Sequence, residues 1–364
     1  MDNRVVFVGL FLFAFGGVNG FPMNDLIEKL PGQPNVTFRQ FSGYIDVDGK
    51  FGRSLFYYFV EAENDPMNRP LTIWLTGGPG CGSVGDGFLS VGPFITTANA
   101  HGLQRNLYSW IKVSNLLFID SPVGAGWSYS NTSSDYEVGD DSTNNDLLAF
   151  ILQWFEKYPN FKSRDLYLGG SSYAGHFIPN FANALLDYNK QSNNFKFNIK
   201  GLAVTKVSYE VDMCIPFRAD FYFNILEVQK AFHGNRTNLG YQWKGCFEKS
   251  GLKFSDVDKD IDMLPALKKI LQQSIPITIF SGDQDAIVPT VGTLNHVNKL
   301  AKDMNLNLTK DEAWNHGNKG GGWMYSYGDL LTLMTVKGAN HHVTFSKPSE
   351  ALFIFTNAVI NRSH

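Results

Sequence analysis

Three short segments supply, in chain order, a hydroxyl, a carboxylate and an imidazole: Gly170-Ser171-Ser172-Tyr173-Ala174, Gly282-Asp283-Gln284-Asp285 and Gly338-Ala339-Asn340-His341. A serine becomes a nucleophile when an adjacent base takes its proton, and an imidazole does this best when a carboxylate fixes its tautomer. The first segment has the form of a sharp strand-to-helix turn that lifts a serine hydroxyl clear of its sheet. The backbone is crowded at such a turn, so the residues two before and two after the reactive serine must be small. Centring on Ser172 puts Gly170 and Ala174 there, whereas centring on Ser171 would put bulky Tyr173 at a flank. Ser172 is the expected nucleophile, with His341 as base and Asp285 as the acid group that orients it.

Each group needs an element to carry it. Asp165 to Gly169 reads as a short buried strand before Ser172, and Ser172 to Leu186 as a helix after it. Asp285 follows the apolar run Ile275 to Ser281, and His341 follows Leu330 to Val336. Further strands read at Val36 to Ile45, Ser54 to Glu61, Leu71 to Leu75, Asn115 to Asp120 and Ile199 to Val204. The first two alternate apolar and polar residues, as an antiparallel hairpin does; the later ones are continuous apolar runs, as parallel strands buried on both faces are. Helices read at Asn144 to Glu156, Ala219 to Phe232 and Ser349 to Asn361. The alternation predicts an α/β fold of the α/β-hydrolase type: a mostly parallel, doubly wound sheet with helices on both faces. Residues 205–264 interrupt the pattern and are expected to form a reduced cap or connecting insertion within a single domain, residues 21–364.

Thr76-Gly77-Gly78-Pro79-Gly80 follows the strand that ends at Leu75. Glycines there let the main chain approach a substrate and turn its N–H groups inward. The backbone N–H groups of Gly78 and Tyr173 are the expected oxyanion donors.

The chain has 364 residues and a formal charge of -3, which gives no electrostatic reason to expect nucleic acid or an anionic membrane surface as a partner. Arg4 followed by an apolar stretch to Phe15 and small residues near Gly20 predicts a cleaved secretory signal peptide, residues 1–20, too short to span a bilayer. No later segment is apolar enough to insert in a membrane. The expected destination is the secretory pathway, either the extracellular space or the lysosome. Asn35, Asn131, Asn235, Asn307 and Asn361 head N-glycosylation sequons. Cys81, Cys214 and Cys246 make an odd count, and spacing alone does not choose a pair. No ligand cluster calls for a metal, and the chemistry needs no cofactor.

These blocks together resemble the serine carboxypeptidase family, the group of carboxypeptidase Y and the lysosomal protective protein. The resemblance runs along nearly the whole mature chain. It includes Phe41-Ser42-Gly43-Tyr44, Gly77-Gly78-Pro79-Gly80-Cys81, Asp120-Ser121-Pro122-Val123-Gly124, Ser172-Tyr173-Ala174-Gly175-His176, Gly282-Asp283 with Asp285, and Gly338-Ala339 with His341. It implies removal of C-terminal residues from peptides, with Ser172, Asp285 and His341 as triad. It also implies a Cys81–Cys246 disulfide with Cys214 unpaired. Relatives are often dimeric, so a homodimer is an expected assembly.

Two departures qualify that implication. The family recognises a terminal carboxylate with an asparagine and two glutamates; Thr76, Ser90 and Ser171 stand at those positions, alongside Gly77. Losing a hydrogen bond to a charged group costs roughly 1.5–3 kcal/mol, so losing several would erode end-specificity while sparing acyl chemistry. The cap that follows the strand Ile199 to Val204 in relatives is also largely missing, which would open the acyl pocket and expose apolar surface. The alternatives are an acyltransferase or esterase on the same triad, and a secreted homologue without catalysis.

Overall fold

The computed structural model describes residues 21–205, 214–238, 240–246 and 251–362. The expected signal peptide and the Cys214 thiol lie outside what is described.

The central sheet has ten strands among the described residues: β1 (Gln40–Asp48), β2 (Arg53–Val60), β3 (Leu71–Thr76), β4 (Asn115–Ile119), β5 (Asp165–Ser171), β6 (Asn198–Thr205), β7 (Ile277–Gly282), β8 (Leu308–His316), β9 (Lys319–Tyr327) and β10 (Leu331–Val336). Their order is β1-β2-β4-β3-β5-β6-β7-β10-β9-β8. The six from β4 to β10 in that order run parallel, and an antiparallel hairpin closes each side. The α/β-hydrolase expectation therefore holds. Along β2, Leu55, Tyr57 and Phe59 pack into one apolar cluster while Phe56, Tyr58 and Val60 pack into another. Such alternation is the two-residue period of a strand covered on both faces.

Eight helices do most of that covering: α1 (Ser83–Gly87), α2 (Asp140–Lys157), α3 (Ala174–Gln191), α4 (Cys214–Phe223), α5 (Leu226–Ala231), α6 (Leu264–Leu271), α7 (Thr290–Asp303) and α8 (Pro348–Ile354). On one face lie Leu147, Phe150 and Trp154 of α2, Phe177, Phe181 and Leu185 of α3, and residues of α6 and α7. On the other lie Val84 of α1, Tyr222 and Phe223 of α4, Val228 of α5, and Ala351 and Ile354 of α8. Among the described residues no helix is long and apolar enough to cross a membrane.

Several elements differ from the sequence reading. The expected helix Ala219 to Phe232 is two helices, α4 and α5, parted at Asn224-Ile225, where the Asn224 side chain is drawn to Asp220 O and Trp243 O. The closing helix from Ser349 changes to a π-helix over Phe355–Ile360. β1 begins at Gln40 rather than Val36. The edge hairpin β8–β9 leaves no strand signature in the sequence, because its outer strand reads Lys310-Asp311-Glu312, charged side chains that hide a strand pattern and protect an exposed edge. The described part of residues 205–264 is also less a cap than a piece of the core. Phe223 packs on Phe88, Trp127 and Trp243 at ring separations of 5.1, 5.3 and 4.6 Å.

Cys81 and Cys246 are disulfide-bonded, as the resemblance implied. Asn35, Asn131, Asn307 and Asn361 are exposed, whereas Asn235 is half-buried and its Nδ2 donates to Gln229 Oε1 at 3.0 Å.

The packing of Phe223 sets a first test. Phe223→Ala is expected to cost about 3–5 kcal/mol of unfolding free energy, as truncating a buried aromatic does. Urea unfolding would measure it; a loss under about 0.5 kcal/mol, the range of surface substitutions, would mean that α4 does not belong to the core.

Candidate active site

The serine turn has the expected local structure. β5 ends at Ser171, α3 starts at Ala174, and Ser172 between them has a φ of 60°. Positive φ is uncommon for a residue with a side chain and marks a tight, strained corner. A Cβ on Gly170 would lie 2.6 Å from both Ala174 Cβ and Leu75 O, so the flanks must be small. Ser172 is half-buried.

His341 and Asp285 meet at the same sheet edge. β7 and β10 are parallel neighbours, and Asp285 and His341 lie in the loops that follow them. Those loops are tied together: Gln284 N donates to Ala339 O at 3.0 Å, and Gly338 N donates to Asp283 Oδ1 at 2.7 Å. His341 Nδ1 is 2.6 Å from Asp285 Oδ2, with both side chains almost wholly buried. The other carboxylate oxygen accepts from Ile287 N at 3.0 Å and Val288 N at 2.9 Å. Asp285 is thus held by its own turn with one oxygen left for the ring. Asp283, the other carboxylate of the segment, is spent on Gly338.

The loop after β3 lies against the serine turn. A Cβ on Gly77 would come within 2.2 Å of Tyr173 N, so only glycine allows this approach, and Gly78 follows with a φ of 111°. The Tyr173 ring stacks on His176 at 4.4 Å, and its hydroxyl faces Asp140 at 3.5 Å. Burial, with Asp140 nearby, pushes the Tyr173 phenol well above its usual range. His176 therefore supports the turn through its ring. His342 follows His341 and is pushed down to about 3 by burial and by His341, so it stays neutral and is a poor second base.

Thr76, Ser90 and Ser171 come together around one residue that sequence reasoning missed. Asp86 Oδ2 accepts from Trp74 Nε1 at 2.7 Å, Thr76 Oγ1 at 3.0 Å and Ser171 Oγ at 3.5 Å. Asp86 Oδ1 accepts from Ser90 Oγ at 3.3 Å. All five residues are buried. The available signal was a lone acidic residue in the glycine-rich run Gly82 to Gly87, one helical turn before Ser90. Burial raises the Asp86 carboxyl above its usual range, against the pull of its donors.

Asp120, at the end of β4, supports the same loop. Its carboxylate accepts from Val84 N of α1 at 3.0 Å and from Trp127 N at 3.1 Å. Burial raises this group to about 7, with those N–H donors opposing. In an unfolded chain an aspartate titrates near 4. Folding therefore takes up a proton between those values, and the stabilisation is largest in acid and lost as pH rises through about 7. The melting temperature of wild type relative to Asp120→Asn should fall between pH 5 and pH 8. A difference that stays constant or grows over that range would contradict the assignment.

Exposed Ile287, Val288 and Val291 follow Asp285, so apolar surface stands open beside the His341–Asp285 pair. Among the described residues no group of three or more His, Cys, Asp and Glu side chains could hold a metal ion.

The sequence profile described as serine carboxypeptidase matches residues 31–208 and 203–361. The two matched stretches meet where the shortened cap was expected. Serine carboxypeptidase-like 44 of Arabidopsis thaliana is 43% identical, with 94% of this chain and 91% of that protein covered. Serine carboxypeptidase-like 42 of the same plant is also 43% identical, with 98% and 94% covered. The alignment with the first spans 439 positions against the 364 residues of this chain, so at least 75 (439 minus 364) have no counterpart here. Among solved structures, Kex1(delta)p, a prohormone-processing carboxypeptidase from Saccharomyces cerevisiae, superposes with a TM-score of 0.75 at 20% identity, covering 90% of this chain and 94% of that one. At that identity the likeness speaks for the fold.

Proposed function

Because this chain belongs to the serine carboxypeptidase family, we propose that it is a serine hydrolase that cleaves C-terminal residues from peptides through an acyl-enzyme. His341 takes the Ser172 proton as the hydroxyl attacks the acyl carbon. Asp285 holds the imidazole in the tautomer that leaves Nε2 as the base. The N–H groups of Gly78 and Tyr173 stabilise the oxyanion, and His341 returns the proton to the leaving group. Water, activated by the same imidazole, then releases the acyl group. The observation that carries this reading is the buried 2.6 Å contact between His341 and Asp285 at the sheet edge where Ser172 stands. Entry to the secretory pathway is part of the proposal, supported by the disulfide and by exposed sequon asparagines.

Acyl transfer to an alcohol or amine, or ester hydrolysis, is the second reading, and one observation favours it. The hydroxyls of Thr76, Ser90 and Ser171 are turned onto Asp86, and a carboxylate is a poor neighbour for a substrate's own terminal carboxylate. Selectivity for free chain ends should accordingly be weak.

A fluorophosphonate probe tests the chemistry. Wild type should be labelled, Ser172→Ala should not, and Asp285→Asn should react roughly 10⁴-fold more slowly because the imidazole then adopts the wrong tautomer. No labelling of folded wild type would overturn the reading in favour of a homologue without catalysis. Peptides with a free and an amidated C-terminus should show kcat/KM values within about tenfold of each other, a difference of about 1.4 kcal/mol. A strong preference for the free acid would restore true end-specificity. Product diverted from free acid to conjugate by an added alcohol or amine would favour transferase activity.

A further inference from the structure

We propose that Asp86 is a positioning residue: through hydrogen bonds, and without touching substrate, it locks the loop after β3 to the serine turn after β5. The inference rests on the acyl chemistry proposed above. Thr76 and Ser171 are direct partners in the parallel ladder between β3 and β5. Each is the last residue of its strand, Thr76 immediately before Gly77-Gly78 and Ser171 immediately before Ser172. Both hydroxyls donate to the same atom, Asp86 Oδ2. One carboxylate oxygen therefore bridges two strand ends, one lying one residue before the nucleophile Ser172 and the other two residues before the oxyanion donor Gly78.

The bridge is itself anchored. Thr76 N donates to Ser83 Oγ at 3.0 Å, fixing the start of α1 to the end of β3. Ser90 Oγ donates to the main-chain oxygen of Asp86 at 2.9 Å, fixing its other end. Trp74 Nε1 adds a donor from the same strand as Thr76. A buried carboxylate with so many donors is satisfied, whereas the same group unpaired would be costly. Removal of the Asp86 side chain would leave the Thr76 and Ser171 hydroxyls and an indole N–H without their acceptor, and the two strand ends would lose their shared tie. Because oxyanion contacts act mainly in the transition state, loosening them lowers kcat more than it changes KM.

The test compares Asp86→Ala with Asp86→Asn on an activated ester, alongside the rate of fluorophosphonate labelling. The asparagine carbonyl can accept what Oδ2 accepts, and its amide can donate to Ser90 Oγ. Asp86→Ala should lower kcat by about 10²-fold, the scale of a lost oxyanion donor or of an ångström misplacement, while KM stays within about threefold. Asp86→Asn should recover about tenfold or more of that loss, since the geometry of the bridge is retained. If Asp86→Ala does not fold, Thr76→Val and Ser171→Ala carry the test. Each should lower kcat, and the double variant should lower it by less than the product of the two, as residues sharing one acceptor do. Wild-type kcat in folded Asp86→Ala would overturn the inference, as would Asp86→Asn being as slow as Asp86→Ala or single hydroxyl variants with unchanged kcat. Such results with a reactive wild type leave the acyl chemistry standing; a wild type that neither labels nor turns over the ester overturns both.

Discussion

The ladder between Leu71–Thr76 and Asp165–Ser171 places Thr76 opposite Ser171, and from those two ends the chain departs in different directions. One end becomes the glycine loop, the other the serine turn. Their separation is set by backbone hydrogen bonds at strand spacing, and a glycine at position 77 lets the loop settle on Tyr173 N. Parallel strands carry all their carboxyl ends to one edge, which is why α/β sheets collect reactive loops there. The same rule brings Asp285 and His341 together through a second parallel pair, Ile277–Gly282 with Leu331–Val336. Two ladders thus set the site, and the side chains refine it.

Buried carboxylates recur around that edge, each with a distinct assignment. Asp285 divides its oxygens between two backbone N–H groups and His341. Asp86 gathers side-chain donors from both strand ends, and Asp120 receives backbone N–H groups from Val84 in α1 and from Trp127 in the segment after β4. In a low-dielectric interior a satisfied carboxylate specifies geometry strongly, because every rearrangement would strip it of donors. The disulfide from Cys81 to Cys246 adds a covalent tie between the glycine loop and the segment carrying Trp243.

That segment belongs to the core. Phe223, Phe232 and Trp243 fill the aromatic layer with Phe88 and Trp127, so this segment seals one face of the sheet. Meanwhile Ile287, Val288 and Val291 remain uncovered beside the His341–Asp285 pair.

The features legible residue by residue obey local rules. A crowded turn admits only small flanks, so Gly170 and Ala174 mark Ser172 as its corner residue; continuous apolar runs mark the parallel strands; strand ends put Asp285 and His341 on one edge. The structure alone decided what depends on partners distant along the chain. Asp86 carries no periodic or motif signal, because its meaning comes from donors at Trp74, Thr76, Ser90 and Ser171 that only folding collects. The charged outer strand Leu308–His316 is likewise set by pairing with Lys319–Tyr327 rather than by its own pattern. Burial alternation is written in neighbouring residues, but the convergence of hydrogen-bond donors on a single carboxylate is a property of three-dimensional packing.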